Sequence, residues 1–132
     1  MRVDYDYLKQ ILDICLDSEL PTVDWDSFSA LTSKNEHKFV FHLEIMVDRK
    51  LIESCSKNGS MGIEREHDAY GVCIIPWRLT ANGHDFASSL TKPGVLTTIK
   101  EKFKTEGLSV VIDIAKSMAS KQAEKLLDES FA

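Results

Sequence analysis

The chain is short of cysteine and proline and has no long apolar run, and each shortage excludes a class of protein. Its three cysteines, Cys15, Cys55 and Cys73, are odd in number, and none stands in C-x-x-C spacing. That argues against a disulfide framework or a zinc site and predicts reduced thiols in a cytoplasm. No stretch approaches the ~20 apolar residues of a membrane span. The opening Met1-Arg2-Val3-Asp4-Tyr5-Asp6 lacks the apolar segment of a signal peptide. There is no glycine-rich phosphate loop, no G-x-S-x-G turn and no kinase motif set. His84-Asp85 invites a proton relay, yet helix neighbours point about 100° apart, so His84 is expected to be structural, bonding back to the hairpin or a neighbouring helix. The four histidines, His37, His42, His67 and His84, show no H-x-x-x-H spacing. No metal, cofactor or catalysis is expected.

What is present suits one small domain with a helical extension. The 132 residues are 43% hydrophobic, enough for a core without covalent staples. The net charge of −5 is uneven: residues 1–30 hold seven acids against Arg2 and Lys9, and the rest sums to zero. An acidic chain is repelled by nucleic acid unless a local basic patch prevails.

Hydrophobic periodicity predicts a helix over residues 4–17, carried by Leu8, Ile11, Leu12, Cys15 and Leu16, with Asp4 or Asp6 as its cap. Leu20-Pro21 ends it, and a short helix over 24–31 follows, with Asp24 as cap. Ser33 and Glu36 fit a capping box that opens a third helix to about Arg49. Its inward face is Phe39, Val40, Leu43, Met46 and Val47; Phe41 and Ile45 point roughly the other way. Leu51–Ser54 reads as a short strand, residues 57–71 as a long loop, and Val72–Leu79 as the strongest strand, its edge left open by Pro76. Thr80 caps a helix to about Leu90, in whose first turn Gly83 admits a close neighbour. Pro93 is placed to open the next helix, Gly107 to close it, and Ser109 to start a last helix of about twenty residues. That helix has a stripe of Val111, Ile112, Ala115, Met118, Ala119, Ala123 and Leu126.

Three helices followed by a two-stranded hairpin is the order of a winged helix-turn-helix. The expected fold is therefore mainly α with a small β-hairpin. A winged-helix domain would span residues 1–91, and a two-helix extension over 92–132 would pack on it or form a homodimer interface.

Three segments sharpen this. They are Met1-Arg2-Val3-Asp4-Tyr5-Asp6-Tyr7-Leu8-Lys9-Gln10-Ile11-Leu12, the run Phe41-His42-Leu43-Glu44-Ile45-Met46-Val47-Asp48-Arg49-Lys50-Leu51-Ile52-Glu53, and Trp77-Arg78-Leu79-Thr80-Ala81-Asn82-Gly83-His84-Asp85-Phe86. In this order they resemble domain-of-unknown-function family 2513 of bacteria and phages. The resemblance implies a winged-helix fold and a phage, prophage or bacterial defence setting, and it implies no activity. Arg49-Lys50 departs from the family pattern, which commonly has a small residue and glycine there.

Two binding functions follow from the residues. A DNA-binding regulator would use Lys38, His42 and Arg49 on the third helix and Lys57 and Arg65 on the hairpin tip, a reading that rests on fold analogy. A protein-interaction module, such as an inhibitor of a host factor or a subunit of a complex, would use Phe41 and Ile45 with the acidic amino-terminal surface. The fold analogy puts the DNA-binding regulator first; the third helix sums to zero charge and the hairpin tip to −1, which supports the protein-interaction module as the alternative. Lys92, Lys100, Lys102 and Lys104 outweigh Glu101 in the most basic stretch, which reads first as a solvated face.

Overall fold

The computed structural model describes residues 1–131. It is mainly helical with a small antiparallel β component. The order is α1 (Tyr5–Asp17), a 3-10 turn (Trp25–Phe28), α2 (Ser29–Thr32), α3 (Glu36–Asp48), β1 (Ile52–Ser54), β2 (Ile63–Glu66), β3 (Ala69–Val72), β4 (Trp77–Leu79), α4 (Ala81–Thr91), α5 (Val95–Lys102) and α6 (Leu108–Phe131). β1 pairs with β4, with Glu53 opposite Arg78, and β2 pairs with β3, with Arg65 opposite Tyr70. The two pairs form one interrupted ribbon. Val23 adds a bridge to Trp77 on the other edge of β4, with N–H···O bonds of 2.8 and 2.7 Å. The ladder position next to Pro76 is thus occupied, while the Pro76 carbonyl accepts the Cys55 N–H.

Several local expectations change. Ser33 does not cap α3: it sits in a right-handed helical turn at the end of α2, whereas a cap needs extended backbone. Asn35, with φ −163°, is the cap, and its side-chain oxygen accepts the Lys38 N–H at 3.0 Å. Residues 57–71 are not all loop, because β2 and most of β3 lie within them. Their turn places His67 at φ 52° without the glycine that usually marks such a hairpin. Of the strand expected over Val72–Leu79, Val72 ends β3 and Trp77–Leu79 form β4, and the break over residues 73–76 includes Pro76, which has no N–H to give. Gly94, at φ 77°, rather than Pro93, precedes α5. Gly107 does not close α5, which ends at Lys102; its carbonyl accepts the Val111 N–H and so opens α6.

Arg49-Lys50 ends α3 in a Schellman arrangement. The Lys50 N–H bonds to the Val47 carbonyl and the Leu51 N–H to the Met46 carbonyl, both at 2.9 Å. Lys50 has φ 57°, the left-handed conformation that favours glycine. The lysine therefore occupies a turn built for glycine.

One core unites the chain. Trp77 is its largest fully buried side chain, stacked near Phe28 and Phe39 at centroid distances of 6.1 and 6.4 Å. Its indole N–H donates to the Met61 carbonyl at 3.0 Å, which ties the ribbon to the helices. Leu8, Ile11 and Leu12 of α1, Phe86 and Leu90 of α4, Val95 and Ile99 of α5, and Leu108, Val111 and Ala115 of α6 are buried in the same cluster. The Tyr5 hydroxyl donates to the Glu106 carbonyl at 2.7 Å, and Lys100 pairs with Asp6 at 3.0 Å. The stretch after residue 91 is thereby fastened to α1. From Ala123 onward α6 projects with Leu126, Leu127 and Phe131 exposed. No helix among the described residues is long and apolar enough to cross a membrane.

Candidate interaction surface on α3 and the ribbon

The ribbon tip lies along α3. Arg65 of β2 clasps the Glu44 carboxylate with both terminal nitrogens, Nη1 standing 2.9 Å from Oε2. Tyr70 of β3 shares a hydrogen bond of 2.8 Å with His37 Nδ1. Between helix and ribbon runs an open cleft of about 260 Å³ lined by Val40, Leu43, Val47, Met61 and Ile63, with Glu44 and Arg65 among its walls. Sequence reasoning missed both latches. The signal available for them was the i, i+7 spacing of His37 and Glu44 on one helical face.

The cations proposed for DNA contact are placed unequally. Lys38 is bonded to Asp4 at 3.1 Å, and its ammonium stands 4.6 Å from the Tyr7 ring centre. Arg65 is held by Glu44. Arg49 and Lys57 are exposed and make no ion pair among the described residues.

His42 is not a surface residue: its exposure is 0%. Nδ1 lies 2.7 Å from the Lys38 carbonyl, an acceptor only, so it carries the proton. Nε2 accepts the Asp4 N–H at 2.9 Å. The imidazole is thus fixed as one neutral tautomer that staples the start of α1 to α3. Burial pushes its pKa down, helped by the Lys38 charge, and prevails over the Lys38 carbonyl and Asp4, which pull it up. For the Asp4 carboxyl, burial is opposed by the Tyr7 N–H, the Lys38 bond and the nearby cations, which together hold it below its ordinary value. The Tyr7 hydroxyl is buried without a hydrogen-bond partner, and burial followed by the Asp4 charge pushes its pKa up to about 12.

Phe41 and Ile45 are half-buried rather than open, and Ile45 packs on the core edge. His37, Phe41, Glu44 and Asp48 succeed one another at i, i+4, i+7 and i+11 and make the outward strip of α3. Its middle is apolar at Phe41, with Glu44 beside it already paired with Arg65, and Asp48 is the open acid at its end. His84 is exposed and lines a groove with Leu20, Pro21 and Trp77, rather than bonding back to the ribbon. Among the described residues no three His, Cys, Asp or Glu side chains are grouped to hold a metal ion.

The chain matches no known protein family, curated protein or solved structure in comparison. The resemblance to family 2513 accordingly rests on the three segments quoted above. The chemistry of the surface has to be read from its own residues.

Proposed function

We propose that this protein is a non-enzymatic winged-helix binding module whose α3–ribbon face docks a protein partner. In this reading α1, α2 and α3 are the three helices, the Val23 bridge is the first strand, and the β1–β4 ribbon is the wing. The resemblance to family 2513 supports that architecture and suggests a phage, prophage or bacterial defence setting, in which such a module inhibits a host factor or joins a complex.

One observation carries the choice of partner. Of the cations on the face that a winged helix offers to a DNA groove, Lys38 and Arg65 are engaged internally, by Asp4 and by Glu44. In this reading Phe41, Ile45 and Asp48, whose carboxylate makes no ion pair among the described residues, lie where base and phosphate contacts would be made. Apolar and acidic groups there oppose the phosphate backbone, which dominates affinity for DNA. A protein surface with a basic rim around an apolar pocket complements them.

A second reading, a cytoplasmic DNA-binding regulator, keeps one specific support: Arg49 and Lys57 stay exposed and without ion pairs at the end of α3 and beside the ribbon. The two readings separate in one affinity-capture experiment from the native host. The docking reading predicts a protein that is lost on Phe41→Asp and retained on the Arg49→Glu, Lys57→Glu double change. Recovery of nucleic acid that is lost only with the double change would reverse the order of the two.

A further inference from the structure

We propose that α6 makes the protein a two-fold symmetric dimer, the projecting end of each copy lying antiparallel in a groove of the other. The groove is an open hollow of about 490 Å³ between the α4–α5 corner and α6, lined by Lys92, Pro93, Ala119, Ala123, Leu126 and Glu129. Gln122 fixes one wall by donating to the Pro93 carbonyl at 2.8 Å. The nine residues from Ala123 to Phe131 then run beyond this bond, about 13 Å of helix at 1.5 Å per residue.

Shape and charge both match a second copy. Ala119 and Ala123, four residues apart, leave a notch on one helical face. Leu126 stands on the continuation of that face, 64% exposed. A two-fold axis beside residue 124 seats each Leu126 between Ala119 and Ala123 of the other copy, a knob in a hole. The same operation brings Glu129 of each copy, three residues further on, toward Lys92 of the other. Neither residue makes an ion pair within the single chain among the described residues. Every such contact occurs twice, as a closed isologous interface requires. The contact is only three to four helical turns long, short for a stable interface, so weak and reversible pairing is expected.

Sedimentation of the full chain over a micromolar concentration series tests this. The expected result is a reversible monomer–dimer equilibrium. Leu126→Glu, at an exposed position, should leave the far-UV helix signal intact and weaken dimerisation at least tenfold. Glu129→Lys should weaken it several-fold, and adding Lys92→Glu to Glu129→Lys should restore it. A monomer at every concentration would overturn the proposal. So would a dimer indifferent to Leu126→Glu, or a double charge reversal that fails to restore pairing.

Discussion

Gly83→Ala sets two opposed effects at one atom. In an ordinary helix interior the change stabilises by about 1 kcal/mol, because alanine forfeits less backbone entropy than glycine. Here the added Cβ would stand 2.0 Å from the Leu51 carbonyl oxygen and 3.0 Å from its carbon. The obstacle is backbone and cannot rotate away. The Leu51 oxygen also accepts the Thr80 N–H at 3.0 Å, while the Thr80 hydroxyl donates to the Lys50 carbonyl at 2.5 Å and caps α4 through the Gly83 N–H. Relief of the clash must lift α4 from the Leu51 backbone by about 1 Å and stretch these bonds. Overpacking costs about 1–3 kcal/mol and each weakened hydrogen bond about 1 kcal/mol. The balance is destabilising by about 2 kcal/mol, which lowers the thermal midpoint of a chain this size by roughly 6–10 °C. Calorimetry or circular-dichroism melting measures it. An unchanged or raised midpoint would refute the close approach of α4 to Leu51, the residue before β1, and with it the physical reason for Thr80 and Gly83 in one motif.

Other substitutions probe the remaining elements. Lys50→Gly should raise stability by about 1 kcal/mol, because Lys50 holds φ 57° in the Schellman turn, and denaturant titration checks it. Stability should fall as pH drops below about 6.5, since the unfolded chain protonates His42 before the folded one does. A series of urea midpoints should show that slope flatten in His42→Gln. Trp77→Phe should lose about 1–2 kcal/mol by orphaning the Met61 carbonyl, with the loss read from chemical unfolding. Arg65→Ala should leave the melting temperature unchanged, since the pair is at the surface, while amide exchange in β2 and β3 accelerates.

The helices were legible in the sequence because their signals are local. Leu8, Ile11 and Leu12 mark α1 by spacing alone, and Thr80 and Gly83 announce α4 through a cap and a small residue. The inner ribbon was not legible. Glu64, Arg65, Glu66 and Asp68 give residues 57–71 the composition of a loop, and the turn runs through His67 rather than Asn-Gly or Asp-Gly. The strands pair with each other, and Tyr70 and Arg65 fasten them to α3 through His37 and Glu44, partners that no local window of sequence contains.

The candidate surface was half legible for the same reason. Helical spacing placed Phe41 and Ile45 away from the main core face, and both are half-buried. The same spacing put His42 among the outward residues, although its imidazole is covered by α1. Lys38 read as available until Asp4, thirty-four residues earlier, was brought beside it. Charge summed along a helix counts residues; what decides a binding surface is which charges already have a partner.

The account turns on the α3–ribbon face offering little to a phosphate backbone. The direct measurement is a fluorescence-anisotropy titration of labelled duplex DNA at low salt, repeated as salt is raised. The account predicts no saturable binding at any salt concentration, for the native chain and for the Arg49→Glu, Lys57→Glu variant alike. Saturable binding that weakens steeply with salt and disappears in that variant would contradict it.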